Sequence, residues 1–174
     1  MVGLARVAFD ALKGECCNTH YYAYLDKEDI AANIVEQRHK DPHVRINIVG
    51  HSRGAAVANE VALKHLSAIN IKVNLLVLLD PVKASTNDKF ILPTDKDTNN
   101  VNTSICIFAK PTTRDPTDYV AIVGGQYGDI LRHYCDYFCE ADTNHGEVMK
   151  MLKSNLGDRD QSAWDLLISE SKTA

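Results

Sequence analysis

The sequence lacks an apolar run of about 18 residues, so it predicts no membrane-spanning helix. It also lacks a cluster of lysines or arginines, and its net charge is −4 with the seven histidines counted as neutral. Nucleic-acid binding therefore has no electrostatic footprint in this chain. No signal-peptide pattern is visible at its start. We expect a soluble, cytoplasmic protein that binds no nucleic acid.

Cysteine is present, but it is not spaced like a disulfide framework. Five cysteines cannot all pair internally, Cys16 and Cys17 are adjacent, and Cys135 and Cys139 lie four positions apart. This usage favours a reducing compartment. The same spacing contains no Cys-x-x-Cys pair, so it argues against a metal site. Such a site would draw on His133, Cys135, Cys139 and His145. We expect neither a metal nor another cofactor.

Length and periodicity bound the fold. The 174 residues suit one domain, here residues 1–174, with 45% hydrophobic and 24% charged residues as in ordinary globular proteins. Apolar spacing predicts helices over 2–13, 27–40, 53–68, 145–155 and 160–170. Strands are predicted over 19–25, 44–49, 71–79, 104–109 and, as a short one, 119–123. Residues 127–142 are ambiguous, and the polar stretch 83–102 predicts a long loop.

The order of these elements predicts an α/β fold with a mostly parallel sheet and helices on both of its faces. The near-continuous apolar run from Ile71 to Leu79 is typical of a strand covered on both sides, as in a parallel sheet. Ligands of such sheets bind beyond the carboxyl ends of the strands. Candidate functional residues are therefore those that directly follow a predicted strand.

A sharp strand-to-helix turn is predicted at Gly50-His51-Ser52-Arg53-Gly54, between an apolar run and a small-residue stretch with helical spacing. Gly-x-Ser-x-Gly in this context is typical of a nucleophile elbow, which holds the serine in a strained conformation with its hydroxyl exposed. We expect glycine at positions 50 and 54 because a Cβ at either would collide with the neighbouring strand or helix. The alternative is a tight turn in which Ser52 only caps the helix.

A serine nucleophile needs an imidazole base, and that imidazole needs a carboxylate to fix its tautomer. His145 is the first candidate for the base, because it lies just before a helix near the end of the domain; His133 is the second. Asp80 is the first candidate for the acid, because it follows a predicted strand as Ser52 does. Asp115 and Asp118 are the alternatives. The backbone N–H of Arg53 is the candidate oxyanion donor.

Three segments together resemble the serine α/β-hydrolase superfamily: Gly50-His51-Ser52-Arg53-Gly54, Leu78-Leu79-Asp80-Pro81-Val82 and Asn144-His145-Gly146-Glu147. They are similar to its lipase- and esterase-like members. The resemblance implies hydrolysis of a small ester or a lipid through an acyl-enzyme. In it Ser52 attacks, His145 acts as base and then as acid, and Asp80 orients the imidazole.

The chain departs from this pattern at its start. The superfamily has a strand and an oxyanion loop before the first helix, and Met1 falls where that loop should be ending. We therefore expect a truncated sheet with an incomplete oxyanion hole, unless a partner or a missing N-terminal segment completes it. The alternative function is a non-catalytic interaction module that keeps the elbow only as architecture.

Overall fold

The computed structural model describes residues 4–15, 18–23, 26–83, 100–157 and 160–172. Its helices alternate with its strands along the chain. The helices are α1 (Leu4–Glu15), α2 (Lys27–Lys40), α3 (Arg53–Glu60), α4 (Pro116–Val123), α5 (Val148–Leu152) and α6 (Ala163–Lys172). A π-helical segment, Val61–Leu66, extends α3, and a 3₁₀-helix covers Gly128–His133. The strands are β1 (Asn47–His51), β2 (Val73–Leu79), β3 (Val101–Ala109) and β4 (Tyr137–Ala141).

The four strands form one sheet in the order β1-β2-β3-β4, and each pair of neighbours is parallel. In register, Gly50 lies opposite Leu78, which lies opposite Cys106, which lies opposite Phe138. The carboxyl ends of all four strands therefore meet at one edge. The predicted α/β fold with a mostly parallel sheet is confirmed.

Helices cover both faces of this sheet, because alternate residues of each strand point to opposite sides. Leu75, Val77 and Leu79 pack on one face with α1, α5 and α6. Leu76 and Leu78 pack on the other face with α3 and its π-helical extension, against which Ile30 and Ile34 of α2 also lie. Burial on both sides explains why β2 is apolar almost throughout. Each fully buried leucine stabilises the fold by roughly 1.5–3 kcal/mol.

The prediction of a strand over 119–123 is wrong, because this segment belongs to α4. Asp115 is the N-cap: its side chain accepts hydrogen bonds from the N–H groups of Thr117 and Asp118, and Asp118 completes a capping box. Pro116 stands in the first turn, where its missing N–H costs nothing. These local interactions outweigh the β-branched content of the segment.

Two further segments differ from the sequence prediction. The ambiguous stretch 127–142 contains the 3₁₀-helix and then β4, a strand at the sheet edge. In the tyrosine-rich stretch predicted as a strand over 19–25, the described residues 19–23 form no strand, and Tyr24 and Leu25 lie outside the described residues. Most of the predicted loop 83–102, namely 84–99, also lies outside them, and β3 begins at Val101.

The two glycines of the elbow differ in the space around them. A Cβ on Gly50 would lie 2.5 Å from the carbonyl oxygen of Gly54 and 2.6 Å from Cα of Ala55. Strand β1 and helix α3 therefore approach each other so closely that only glycine fits at this position. The expectation for Gly54 is wrong, because a Cβ there would meet no atom within 4 Å.

We expect opposite effects when each of these glycines is replaced by alanine. Gly50→Ala should lower the free energy of unfolding by about 3 kcal/mol, because main-chain atoms must move to admit the methyl group. Gly54→Ala should raise it by about 0.5–1 kcal/mol, because alanine loses less backbone entropy in a helix. Urea denaturation of the two variants measures both changes. Equal effects at both positions would contradict the close approach of β1 and α3.

Candidate active site

Ser52 occupies the sharp turn between β1 and α3. Its backbone has φ 57° and ψ −127°, a conformation that costs a non-glycine residue on the order of 1–3 kcal/mol. Hydrogen bonds hold the turn in place: the Ser52 N–H donates to Leu79 O at 3.0 Å, and the Ser52 carbonyl accepts from Val82 N–H at 3.2 Å. The residue is half-buried, so its hydroxyl remains accessible. The predicted strained backbone is confirmed.

Asp80 lies at the corresponding point after β2 and is completely buried. Its backbone φ is 40°, and its N–H donates to Ile107 O at 2.7 Å. One carboxylate oxygen, Oδ1, accepts from the Ala109 N–H at 3.1 Å and from the Gln126 side-chain amide at 2.5 Å. A buried carboxylate is tolerated only when such donors replace water. The other oxygen, Oδ2, remains for a further donor.

His145 supplies that donor and connects Asp80 to Ser52. Its Nδ1 lies 2.6 Å from Asp80 Oδ2, and its Nε2 lies 3.0 Å from Ser52 Oγ. A carboxylate only accepts hydrogen bonds, so Nδ1 carries the proton of the neutral ring and Nε2 offers its lone pair to the serine hydroxyl. The imidazole is buried. The structure thus brings the three predicted residues together, with the geometry that a general base requires.

The loop that carries His145 is held by the first turn of α4. The His145 N–H donates to Asp118 Oδ1 at 2.7 Å, and the Gly146 N–H donates to Thr117 Oγ1 at 2.9 Å. The Asn144 side-chain amide, with its nitrogen turned toward these acceptors, donates to Asp118 Oδ2 at 2.8 Å. Asp118 is itself buried. It therefore fixes the base through the main chain.

The alternatives named from the sequence thus have other places. Asp115 caps α4, and the hydrogen bond from the Thr117 hydroxyl is the main reason that the pKa of its carboxyl lies below the ordinary value. Asp118 anchors the loop and does not take the place of Asp80 beside the imidazole. His133 is exposed at the end of the 3₁₀-helix.

Arg53, the candidate oxyanion donor, is the first residue of α3 and directly follows Ser52. Its side chain is exposed, so only its backbone bears on the site. The first N–H groups of a helix point out from its amino end, where they and the helix dipole favour a negative charge. This placement suits stabilisation of an oxyanion formed at Ser52.

Sequence reasoning missed two supports of this array. Gln126 follows Gly124-Gly125 in a turn, and no local pattern connects it with Asp80. Thr117 and Asp118 could have been found, because Asp115-Pro116-Thr117-Asp118 has the pattern of a capped helix start. The reach of that cap to the loop at 144–146 is a long-range contact that sequence spacing does not show.

Other kinds of site find no support in the part of the chain that the structure describes. There, no group of three or more His, Cys, Asp or Glu side chains could hold a metal ion. Cys106, Cys135 and Cys139 are free thiols. Among the described residues, no helix is long and apolar enough to cross a bilayer.

Comparisons with known proteins give no assignment. No protein-family model, no curated protein and no solved structure matches this chain. The functional argument therefore depends on the geometry of the site.

Replacing Asp118 tests its role as an anchor. Asp118→Ala should lower the free energy of unfolding by about 2–4 kcal/mol, because it leaves the buried His145 N–H and its neighbouring donors without an acceptor. The matched control is Asp129→Ala, which removes an exposed carboxylate paired with Arg132 and should cost less than about 1 kcal/mol. Urea denaturation measures both variants, and a loss for Asp118→Ala as small as that of the control would contradict the anchor.

Proposed function

We propose that this chain is a serine hydrolase of the α/β-hydrolase type, which cleaves carboxylic esters through an acyl-enzyme. The observation that carries the proposal is the continuous hydrogen-bonded line from Ser52 Oγ through the His145 imidazole to the buried carboxylate of Asp80. Each element of that line suits the task, since the serine is accessible, the base has a free lone pair and the acid has no other cation to neutralise it.

In the acylation step, Ser52 Oγ attacks the ester carbonyl carbon while its proton passes to His145 Nε2. The carbonyl electron pair moves to the oxygen, and the resulting oxyanion lies at the amino end of α3, where the Arg53 N–H can donate to it. Asp80 remains a carboxylate and stabilises the imidazolium through Nδ1–H. The tetrahedral intermediate then collapses, His145 gives its proton to the leaving alkoxide, and an alcohol departs from the acyl-serine.

Deacylation repeats these steps with water as the nucleophile. His145 Nε2 takes a proton from water, whose oxygen attacks the acyl carbonyl carbon, and the second tetrahedral intermediate forms. His145 then returns its proton to Ser52 Oγ, which releases the carboxylic acid. The enzyme is restored with His145 neutral and Asp80 still ionised.

The oxyanion hole determines how fast these steps run. The resemblance to α/β-hydrolases places a second N–H donor on a loop before the first helix, and loss of one such donor costs about 10²–10³ in rate. We propose that the Arg53 N–H acts as one donor and that a partner or another segment supplies the second. The isolated chain should then be a slow hydrolase with a functional nucleophile and base.

The surroundings of the site support an apolar acyl group. Helix α4, whose first turn holds the His145 loop, exposes large apolar side chains on its other positions: Tyr119, Val120, Ile122 and Val123. After this helix, Gly125 packs against the Lys83 side chain, and Gln126 bonds to Asp80. Apolar surface that borders an accessible nucleophile is suited to an ester with a hydrocarbon chain, whether a small ester or a lipid.

Labelling by a fluorophosphonate probe, read by mass spectrometry of the modified peptide, tests the proposal. The wild-type chain should acquire one adduct on the peptide that contains Ser52. Ser52→Ala should abolish labelling, and Asp80→Asn should slow it by about 10³–10⁴-fold, because the imidazole loses its orienting acceptor. Ser67→Ala, at the end of the helix that starts from the elbow, is the control and should react like wild type.

The competing function is an interaction module that retains the turn without catalysis. It predicts no adduct in folded wild-type protein at any pH at which His145 is neutral. It also predicts an equal, low rate for wild type and Asp80→Asn. Either result would reject the hydrolase proposal.

A further inference from the structure

The carbonyl oxygen of His145 is held by a residue that the proposed mechanism does not yet use. His51 Nε2 lies 2.8 Å from this oxygen. A carbonyl only accepts hydrogen bonds, so Nε2 carries the proton and donates it. His51 is the last residue of β1 and directly precedes Ser52. One side chain therefore connects the strand that carries the nucleophile with the loop that carries the base.

This hydrogen bond completes the set of contacts around His145. Its N–H donates to Asp118, its Nδ1 donates to Asp80 and its Nε2 faces Ser52. The carbonyl is the remaining polar group of the residue, and His51 bonds to it. Asp118 and His51 thus grip the two sides of the main chain at position 145, which limits the rotation that would carry the imidazole away from the serine.

The two imidazole rings also touch. Their centroids lie 4.6 Å apart with an angle of 35° between the ring planes. The His51 ring therefore covers part of one face of the His145 ring. Ring contact and hydrogen bond act on the same residue, but a ring of any kind could provide the first, whereas only a donor can provide the second.

His51 stays neutral where a base at position 145 would work. Burial is the main cause that lowers the pKa of His51 to about 4, and the nearby His145 lowers it further. The hydrogen bond to the His145 backbone and the charge of Asp80 act in the opposite direction but are smaller. The titratable groups that face His51 are therefore His145 and Asp80. A neutral neighbour allows His145 to take up a proton without a second cation beside it.

We propose that His51 is a positioning residue for proton transfer between Ser52 and His145, and that it acts through its Nε2–H hydrogen bond to the His145 carbonyl. The proposal rests on the proposed hydrolase function. It goes beyond that function by assigning a role to the residue before the nucleophile. Positioning matters because a displacement of about 1 Å at a reacting pair can cost about 10²-fold in rate.

Two variants separate the hydrogen bond from the ring. His51→Gln retains an N–H donor at a similar distance from the backbone and removes the ring. His51→Phe retains a ring and removes the donor. We expect His51→Gln to react with a fluorophosphonate within about 5-fold of the wild-type rate, and His51→Phe to react about 10²-fold more slowly. His65→Gln, in the half-exposed π-helical segment, is the control and should match wild type.

The comparison is made at a temperature at which circular dichroism shows all four proteins to be folded. A rate for His51→Phe equal to that of His51→Gln would overturn the proposal, because the donor would then be dispensable. Equal and large losses in both variants would also overturn it, since they would assign the effect to packing.

A second measurement does not depend on activity. In wild-type protein labelled with ¹⁵N-histidine, the His145 Nδ1–H that donates to Asp80 should give a low-field proton signal, which His145→Gln identifies by its loss. We expect the signal to persist in His51→Gln and to broaden or disappear in His51→Phe. A signal unchanged in both variants would overturn the positioning role.

The two measurements distinguish the two proposals. If wild-type protein is not labelled at all, the hydrolase function fails, and the NMR signal alone decides whether His51 orients His145. If wild-type protein is labelled but neither the rate nor the signal depends on the donor, the hydrolase function stands and the role of His51 is rejected.

Discussion

The buried contact between Asp80 and the His145 imidazole is the constraint on which this site depends. An ionised carboxylate that is withdrawn from water costs several kcal/mol unless hydrogen-bond donors replace the solvent. Asp80 therefore requires the Ala109 N–H at the end of β3, the Gln126 amide in the turn after α4 and the imidazole on the loop after β4. Each of these segments has to reach the end of β2. The same contact that orients the base thus also fixes the edge of the sheet.

The parallel sheet makes this convergence possible. Because all its strands run in one direction, the residues that follow β1, β2 and β4 meet at a single edge, although up to 93 positions separate them in the sequence. The two faces of the sheet are packed with helices, so the edge is a firm base for the strained turn at Ser52. Helix α4 has a separate role there, since its capping box is shared with the loop that carries His145. A local helix-capping motif thereby serves a long-range purpose.

Sequence patterns were sufficient where the governing interaction is local or follows from strand direction. The apolar run of β2, the turn at Gly50 and the small residues of α3 predicted the centre of the sheet, and the shared edge pointed to Asp80. Strand β4 was not predicted, because at the sheet edge its half-buried side chains alternate less clearly. The strand assigned to 119–123 was wrong because capping by Asp115 outweighed β-branched content. Gln126 could not be found at all, since nothing near it in the sequence reveals a contact 46 positions away.

The central claim is that Ser52 forms a covalent acyl intermediate with the help of His145 and Asp80. The most direct test is intact-protein mass spectrometry during reaction with a nitrophenyl ester, with the release of nitrophenol followed in parallel. The account predicts a burst of one nitrophenol per chain, an acyl mass increment of the same amplitude on the peptide of Ser52, and neither in Ser52→Ala. Nitrophenol release without a burst, or an acyl group on another residue, would contradict it.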